Sequence, residues 1–278
     1  MKFLRKLVQG ALRSLGFELT RIRPETGSVS YSNFGEDALI AKYLAQSPPA
    51  HRYCVDIGAG DGETSSNSCK LFRDGWEGLA LEYSGPTFSR LAYRYSDLNR
   101  CSLGRFRVTP DNVVSLLKAA EAPEDFGFLS LDIDSYDHFV LEKILEVYRP
   151  SLMCVEINEK IPPPVKFAVQ WRPDHSWTED HFYGQSLEIL AELAGRFQYT
   201  LVDLEYNNAF LLPSKAVTAP PRPVRQVYED GYLKREDRLK RLPWNKDMEP
   251  LHALKPEGMI SFINEKFAKY QGRYVCRL

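Results

Sequence analysis

In the stretch "VDIGAGDGE", an apolar run that ends in an acid leads into three glycines at alternate positions. Asp56 ends the run, and Gly58, Gly60 and Gly62 follow it. Glycine has no Cβ, so these positions can adopt positive φ angles and let a ligand approach the backbone closely. In a sheet of parallel strands, the turn after the first strand lies at the carboxyl edge, where ligands bind. The pattern therefore predicts a ligand site rather than a plain tight loop.

The acids around this turn select among ligands. The dinucleotide fingerprint GxGxxG requires a glycine where this chain has Glu63. A pyrophosphate also favours a helix N-terminus without negative charge, and both Asp61 and Glu63 oppose it. Glu82 ends the next apolar run, "GLALEYS", where a carboxylate can accept both ribose hydroxyls of a nucleoside. We interpret the turn as the site of an adenosine that carries a positive centre and an amino acid group.

A second group of acids ends two further apolar runs. Asp132 and Asp134 lie in "LSLDIDSYDH", and Glu156 and Asn158 lie in "VEIN". Oxygen ligands of this kind suit Mg²⁺, and the carboxyl ends of parallel strands meet at one edge of the sheet. The sequence therefore predicts a magnesium site built from these four residues. The alternative is helix capping by Asp134 or Ser135 within a structural carboxylate network.

Six motifs in this order resemble the FkbM-type family of class I S-adenosylmethionine-dependent methyltransferases. They are "NFGEDALI", "VDIGAGDGETSSNS", "GWEGLALE", "RVTPDNVVSLL", "LSLDIDSYDHFVLEKI" and "VEIN", and together they extend over roughly residues 30 to 212. The resemblance implies a Rossmann-like methyltransferase fold, S-adenosylmethionine as cofactor, and O-methyl transfer to a sugar hydroxyl of a glycan or glycolipid. The acidic cluster is also similar in position to the metal site of macrocin-type sugar O-methyltransferases.

The resemblance also implies which residues hold the cofactor. The glycine turn and the acid before it would surround the methionine part, and the acid that ends the second strand would bind the ribose. The residues implied in this way are Asp56, Gly58, Gly60, Gly62, Glu82, Thr109, Asn112 and Asp132.

Methyl transfer to oxygen needs a base or a metal to take the proton of the hydroxyl. The candidate catalytic residues are His138, His181 and Asp134, and His175 is a further histidine in the same insertion as His181. A lone histidine can equally be a satisfied surface or core residue. The insertion "WRPDHSWTEDHFYGQS" is rich in aromatic side chains, which typically cover the apolar faces of a sugar ring. Its aromatic candidates are Trp171, Trp177 and Tyr183.

Other functions fit parts of this pattern. Asp132-Ile133-Asp134 is a DxD, with which many glycosyltransferases hold a metal and a nucleotide diphosphate. A methyltransferase for a small natural product and a non-catalytic protein with a degenerate cofactor site also remain open. The glycine turn favours the methyltransferases, because a glycosyltransferase does not require it.

The elements that position these residues alternate along the chain. Between residues 31 and 212, short apolar runs typical of strands alternate with segments whose apolar residues have helical spacing. This alternation predicts an α/β fold with a doubly wound, mostly parallel seven-stranded sheet. The last two strands, joined by "NN", predict an antiparallel hairpin at one edge. Residues 213–278 are Pro-rich and then charged, and predict a mainly helical extension that either closes the acceptor site or mediates self-association into a homo-oligomer.

Composition limits the classes of protein and of partner that the sequence allows. Lys and Arg total 36 against 37 Asp and Glu, so bulk charge does not indicate a nucleic-acid partner. The five cysteines are odd in number and lack CxxC spacing, which argues against a disulfide framework or a zinc site and favours a cytoplasmic protein. The sequence contains no apolar run of the roughly 18 to 20 residues that a membrane-spanning helix needs.

The N-terminal segment, residues 1–30, is basic and amphipathic. "MKFLRKLVQGALRSLGFELTRIR" has apolar residues at helical spacing and basic residues between them, a pattern typical of helices that lie in an anionic membrane interface. We expect residues 1–23 to contact the inner face of the plasma membrane. The alternatives are a helix packed on the domain and a cleaved presequence, although the charges interrupt any signal-peptide core.

Overall fold

The computed structural model describes residues 30–278. The membrane contact expected for residues 1–23 lies outside these residues. Among residues 30–278, none of the helices is both long enough and apolar enough to cross a bilayer.

A seven-stranded sheet forms the centre of the described chain. Residues 30–278 contain nine strands: β1 (His51–Ile57), β2 (Glu77–Glu82), β3 (Cys101–Arg105), β4 (Phe126–Leu131), β5 (Leu152–Glu156), β6 (Lys166–Val169), β7 (Tyr199–Glu205), β8 (Asn208–Pro213) and β9 (Tyr274–Arg277). The main sheet has the order β3-β2-β1-β4-β5-β8-β7. Its first five strands run parallel, whereas β8 is antiparallel to both β5 and β7. This confirms the predicted mostly parallel α/β sheet and its edge hairpin.

Helices cover both faces of this sheet. They are α1 (Glu36–Gln46), α2 (Cys69–Arg73), α3 (Gly85–Arg94), α4 (Val113–Ala119), α5 (Asp137–Val147) and α6 (Leu187–Arg196), followed in the C-terminal part by α7 (Val224–Tyr228), α8 (Arg238–Arg241) and α9 (Pro256–Lys266). Successive strand residues point to opposite faces. Accordingly, Val55 packs in one apolar cluster with α4, α5 and α6, and Cys54 packs in another with α1, α2 and α3.

The third strand begins earlier than the sequence predicts. The run "GRFRVT" predicts a strand from residue 104, but β3 pairs with β2 from Cys101 opposite Gly78 to Arg105 opposite Glu82. The chain then leaves the sheet, and residues 106–108 line a cavity. The apolar residues that suggested a longer strand therefore belong to the wall of that cavity.

The insertion after β5 and the C-terminal extension fold against each other. β6 lies in the insertion and pairs antiparallel with β9, with Phe167 opposite Cys276. An apolar cluster joins the two regions through Ile161, Val165, Phe167, Val169 and Phe182 of the insertion and Met248, Leu251, Met259, Ile263 and Phe267 of the extension. The sequence predicts neither β6 nor β9, because their pairing connects residues about a hundred positions apart.

Candidate active site

A cavity of about 480 Å³ lies at the carboxyl ends of β1, β2 and β4. The glycine turn after β1 and residues 81–84 at the end of β2 line one part of it. Residues 106–108, residues 132–136 after β4, and residues 175–177 of the insertion line the remainder. The cavity thus lies at the edge of the sheet where the sequence predicted a ligand site.

The glycines of the turn have different surroundings. Gly58 has a φ of +88°, and a Cβ built there would lie 1.6 Å from the carbonyl oxygen of Asp132. At Gly62, a Cβ would lie 2.6 Å from Leu91. Gly60 has a φ of +58° and lines the cavity, and no heavy atom of residues 30–278 lies within 4 Å of its Cβ position. Gly58 and Gly62 therefore allow close packing, whereas Gly60 leaves space for a ligand.

The Glu82 carboxylate connects the turn to the end of β2. Its Oε2 accepts the N–H of Gly60 at 3.0 Å, and its Oε1 accepts the N–H of Ser84 at 2.6 Å. A carboxylate can accept about four hydrogen bonds, so these two leave acceptor positions for hydroxyl donors. Glu82 also lines the cavity. An adenosine ribose beside the open side of Gly60 fits this arrangement.

Arg94 partly neutralises the two acids of the turn. Its guanidinium lies 2.5 Å from Asp61 and 3.4 Å from Glu63. The sequence predicted that both acids would oppose a phosphate with their full charge. The structure shows that this prediction is wrong, because Arg94 partly compensates them. The acids that line the cavity beside the turn are Glu82 and Asp132 instead.

Asp56 lies behind the turn rather than in the cavity wall. It is buried, and its carboxylate accepts a hydrogen bond from the hydroxyl of Ser68 in "TSSNS". Burial raises the pKa of Asp56 to about 6, although the hydroxyls of Ser68 and Ser130 oppose that shift. Its cofactor-binding role stays a prediction, and its contacts connect the turn to the segment before α2.

Thr109 and Asn112 close the loop that supplies residues 106–108 to the cavity. The Thr109 N–H donates to Oδ1 of Asn112 at 2.8 Å, and Nδ2 of Asn112 donates to the carbonyl of Arg107 at 2.9 Å. The two residues therefore shape the cavity wall through the backbone. Their direct contact with the cofactor remains a prediction.

Three of the four predicted metal ligands come together. Carboxylate oxygens of Asp132, Asp134 and Glu156 lie within 4.8 Å of one another. Oε1 of Glu156 accepts from Nδ2 of Asn207 at 2.9 Å, whereas its buried Oε2 accepts from no N–H or hydroxyl group among residues 30–278, and the neighbouring carboxyl is that of Asp132, with which it can share a proton. A buried oxygen without a partner is costly unless a cation or proton compensates it. This donor set fits a hard divalent cation.

Burial and mutual repulsion raise the pKa values of this group. Burial is the largest cause for Asp132 and Glu156, whose pKa values lie well above their ordinary range. The pKa of Asp134 rises to about 6, first because of burial and then because of the Asp137 charge, while Lys160 opposes the shift. A bound cation would relieve this repulsion and favour the ionised forms.

The sequence indicated Asp134 or Ser135 as a candidate helix cap, but in the structure it is Asp137 whose carboxylate holds the loop before α5. Its buried carboxylate accepts the N–H groups of Ile133 at 2.9 Å and Ser135 at 3.0 Å. Asp134 has a φ of +53° in the loop that these bonds hold. The loop conformation thus depends on Asp137, which leaves Asp134 to line the cavity.

Asn158 fixes the end of the insertion. It is fully buried, and its Nδ2 donates to the carbonyls of His181 at 2.8 Å and Tyr183 at 3.0 Å. Its Oδ1 has no hydrogen-bond partner in the described part of the chain. Its assignment as a fourth metal ligand stays a prediction.

The structure separates the three candidate histidines. His138 hydrogen-bonds Gln185 at 3.0 Å and lines a different pocket, between α5, α6 and β9. His181 pairs with Asp247 of the C-terminal extension at 2.9 Å. His175 lines the cavity, and burial lowers its pKa, with Arg107 and Arg273 acting in the same direction. Thus His175, rather than His138, accompanies Asp134 in the cavity wall.

Several residues that the sequence pattern did not indicate also support the site. The Arg107 guanidinium donates to the carbonyls of Pro173, at 2.9 Å, and His175, which holds the insertion beside the cavity. Buried Glu36, from "NFGED", accepts from Nδ2 of Asn208 at 2.9 Å. Nδ2 of Asn207 donates to the Glu156 carboxylate, so the "NN" pair is more than a hairpin turn. Because β8 is antiparallel to β5, "NN" lies at the ligand-binding edge with Asn208 opposite Glu156, and the local pattern of a hairpin turn gave no signal of this or of the contact with "NFGED".

No protein-family model and no curated protein matches the sequence. Among solved structures, this chain is similar to an O-methyltransferase from Bacillus cereus in complex with SAH, with a TM-score of 0.41, 15% identity, and coverage of 74% of this chain and 88% of that chain. It is also similar to magnesium protoporphyrin IX methyltransferase from Synechocystis PCC 6803 with bound SAH, with a TM-score of 0.42, 10% identity, and coverage of 74% and 97%. The N-terminal domain of EvdMO1 with SAH bound gives a TM-score of 0.46, 10% identity, and coverage of 75% and 96%.

Proposed function

We propose that this protein is an S-adenosylmethionine-dependent O-methyltransferase of the FkbM type. The observation that carries the proposal is the combination, in one cavity, of the Gly60–Glu82 contact with the acids that follow β4. The first feature fits a nucleoside without a pyrophosphate, and the second fits activation of a hydroxyl. Neither feature alone would distinguish a methyltransferase from other nucleotide-binding proteins.

Each part of the cavity has a separate task in this proposal. S-adenosylmethionine, when bound, supplies a methyl group on a positively charged sulfur. Glu82 accepts the ribose hydroxyls, and Gly60 leaves room for the ligand because it has no side chain. Asp132 provides negative charge between the turn and the acidic cluster, which favours a cationic ligand. These residues bind and orient the cofactor for in-line transfer.

We further propose that Asp132, Asp134 and Glu156 hold Mg²⁺, with Asn158 as a fourth oxygen ligand. A divalent cation, when bound, lowers the pKa of a hydroxyl placed beside it. In the absence of the cation, burial raises the pKa of Asp134 to about 6 and its carboxylate can accept a proton, whereas with the cation bound Asp134 stays ionised as a ligand. This assigns the hydroxyl's proton to the acidic cluster rather than to His138 or His181.

The proposed acceptor is a sugar hydroxyl of a glycan or glycolipid. Aromatic and hydrogen-bonding residues occur together in the cavity wall, as a sugar with apolar ring faces and several hydroxyls requires. If residues 1–23 dock on an anionic membrane surface, the reaction would take place at the cytoplasmic face, close to lipid-linked sugars. A small natural product is the alternative acceptor.

Calorimetric titration with S-adenosylhomocysteine tests the class of enzyme. We expect micromolar affinity, and we expect Glu82→Gln to weaken binding about tenfold or more, because hydrogen bonds to a charged acceptor are stronger than those to a neutral one. Glu77→Gln is the matched control at the other end of β2, where the acid pairs with Arg100 on the surface. Binding of a nucleotide diphosphate sugar with Mg²⁺, in the absence of S-adenosylhomocysteine binding, would instead identify a glycosyltransferase that uses its DxD.

A further inference from the structure

We propose that Trp177 forms the acceptor-binding platform of the cavity and stacks on the apolar face of a pyranose ring. The inference rests on the proposed function and adds a specificity-determining residue to it. The sequence offered three aromatic side chains in the insertion, Trp171, Trp177 and Tyr183, without distinguishing among them. Their surroundings in the structure differ sharply.

Trp171 and Tyr183 are engaged elsewhere. The indole N–H of Trp171 donates to Asp111 at 3.1 Å, and its ring packs edge-on against Tyr136 at 4.5 Å between centroids. Tyr183 is 7% exposed. Neither residue lines the cavity, whereas Trp177 lines it and is 36% exposed. Trp177 is therefore the aromatic residue of the insertion that a ligand in the cavity can reach.

The Trp177 ring is held in place before any ligand binds. Its Nε1 donates to the carbonyl of Asp180 at 2.8 Å, and Tyr183 packs edge-on against it at 5.9 Å. Because the indole N–H is already bonded, the ring offers mainly its apolar surface to a ligand. A pre-positioned ring loses little conformational entropy on binding, so the contact contributes efficiently to affinity.

Tyr183 itself is fixed by a buried polar network. Its hydroxyl accepts from Lys160 at 2.6 Å and donates to Glu159 at 3.1 Å, and both partners are 1% exposed. Nδ2 of Asn245, from the C-terminal extension, donates to Glu159 at 2.6 Å. The extension thus supports the platform indirectly through Glu159 and Tyr183.

The rest of the cavity wall contains hydrogen-bonding groups that a sugar can use. Three serines line the cavity together with Asp134 and Arg107: Ser84, Ser135 and Ser176. Tyr83 and Phe106 line the cavity as well, so its wall combines aromatic rings with these polar groups, and a pyranose has several hydroxyls that can bond them. Aromatic stacking combined with hydrogen bonding is the chemistry that such a ring requires.

The test compares Trp177→Ala with Trp177→Phe and Trp244→Ala. Trp244 is 58% exposed in the extension and does not line the cavity, which makes it a matched control. The probes are methyl α- and β-pyranosides and, as a contrast, catechol. They are added to the full chain with saturating S-adenosylhomocysteine for binding, or with labelled S-adenosylmethionine for methyl transfer.

We expect the pyranosides to quench tryptophan fluorescence in the wild type and in Trp244→Ala, but much less in Trp177→Ala. The KM for the pyranoside should rise about tenfold or more in Trp177→Ala and less than about threefold in Trp177→Phe. S-adenosylhomocysteine affinity should stay within about twofold in all three variants. Normal cofactor affinity also verifies that each variant is folded.

Three results would overturn the inference while leaving the cofactor assignment intact. They are an unchanged KM in Trp177→Ala, no pyranoside quenching or methylation in a wild type that binds S-adenosylhomocysteine, and methylation of catechol while the pyranosides stay inert. A wild type that does not bind S-adenosylhomocysteine would refute the proposed function itself. The two failures are therefore distinguishable.

Discussion

The glycine turn and the acidic cluster line the same cavity but differ in how completely their polar groups are satisfied. In the turn, the N–H groups of Gly58 and Ala59 both donate to Leu81 at 2.9 Å, and that of Gly60 donates to Glu82. In the cluster, Glu156 has a buried oxygen that accepts from no N–H or hydroxyl group among the described residues, and Asp134 adopts a positive φ. The turn is complete before a ligand binds, whereas the cluster holds carboxyls whose pKa values are raised, so that it binds protons or a cation to relieve their mutual repulsion.

The two regions are suited to different ligands: the turn to a cofactor, and the acidic cluster to a cation. A pre-formed hydrogen-bonded turn recognises a ligand by shape, at little cost of rearrangement. A cluster with raised pKa values recognises positive charge, because a cation removes the repulsion among its carboxylates. Perturbed carboxylates in a cavity are also typical of catalytic sites. Mutations in the two regions should therefore have different consequences.

The largest effect is expected for Gly58→Ala in the turn. A Cβ there would lie 1.6 Å from the carbonyl oxygen of Asp132, so the ends of β1 and β4 would have to separate. We expect a loss of more than about 4 kcal/mol in the free energy of unfolding, and little folded protein. Gly60→Ala is the matched control, with about 1 kcal/mol of left-handed strain and weaker cofactor binding. Equal thermal stability of the two variants would contradict the packing role of Gly58.

The second-largest effect is expected for Asp134→Asn in the acidic cluster, a variant whose stability relative to the wild type should depend on pH. The folded pKa of Asp134 is about 6, above the roughly 3.9 of an unfolded aspartate. The folded state therefore favours the protonated form of Asp134. The stability that Asp134 contributes is fully present below about pH 4 and is lost as the pH rises through about 6. Without divalent cations, Asp134→Asn should be more stable than the wild type at pH 8, by about 2–3 kcal/mol, and Asn tolerates the positive φ.

Thermal unfolding with and without Mg²⁺ measures this effect. Mg²⁺ should raise the unfolding temperature of the wild type by about 5 °C and leave Asp134→Asn nearly unchanged. The comparison with Asp134→Asn is essential, because Asp56 has a pKa of about 6 as well and contributes to the same pH window. A wild type whose stability does not respond to Mg²⁺ would argue for a purely structural carboxylate network.

A smaller effect is expected from Asn207→Ala. Nδ2 of Asn207 donates to the Glu156 carboxylate at 2.9 Å, and residues that orient a metal ligand typically contribute about tenfold or more to metal affinity. Mg²⁺ affinity measured by calorimetry should fall by about that factor, with unchanged S-adenosylhomocysteine affinity. Asn264→Ala, on the surface of α9, is the control. Loss of cofactor binding in Asn207→Ala would show that the two regions are not separable.

The smallest effect is expected from His181→Asn. The His181 side chain is 17% exposed and pairs with Asp247, whose side chain is 53% exposed, so solvent screens the pair and its contribution to stability is small. We expect the rate of methyl transfer to stay within about threefold and its pH profile to keep its shape. A rate lowered a hundredfold with intact cofactor binding would place the base in the insertion and remove that role from the acidic cluster.

The parts of the site that the sequence predicts correctly follow from the periodicity of strands and helices. Acids at the ends of neighbouring parallel strands must meet, so the approach of Asp132 to Glu156 could be predicted. His138 could not be placed from its distance to the cluster along the sequence, because neighbouring helix residues differ in direction by about 100°. The pairing of β6 with β9 and the contact of Glu36 with Asn208 depend on distant segments, about which local patterns carry no information.

The most direct test of the two-part cavity is a pair of titrations on metal-free protein at pH 7.5. S-adenosylhomocysteine is titrated with and without saturating Mg²⁺, and Mg²⁺ is titrated with and without saturating S-adenosylhomocysteine. We expect S-adenosylhomocysteine to bind with nearly the same affinity in both cases, and Mg²⁺ to bind in the wild type but not in Asp134→Asn. Cofactor binding that requires Mg²⁺, or Mg²⁺ binding that survives in Asp134→Asn, would contradict the account.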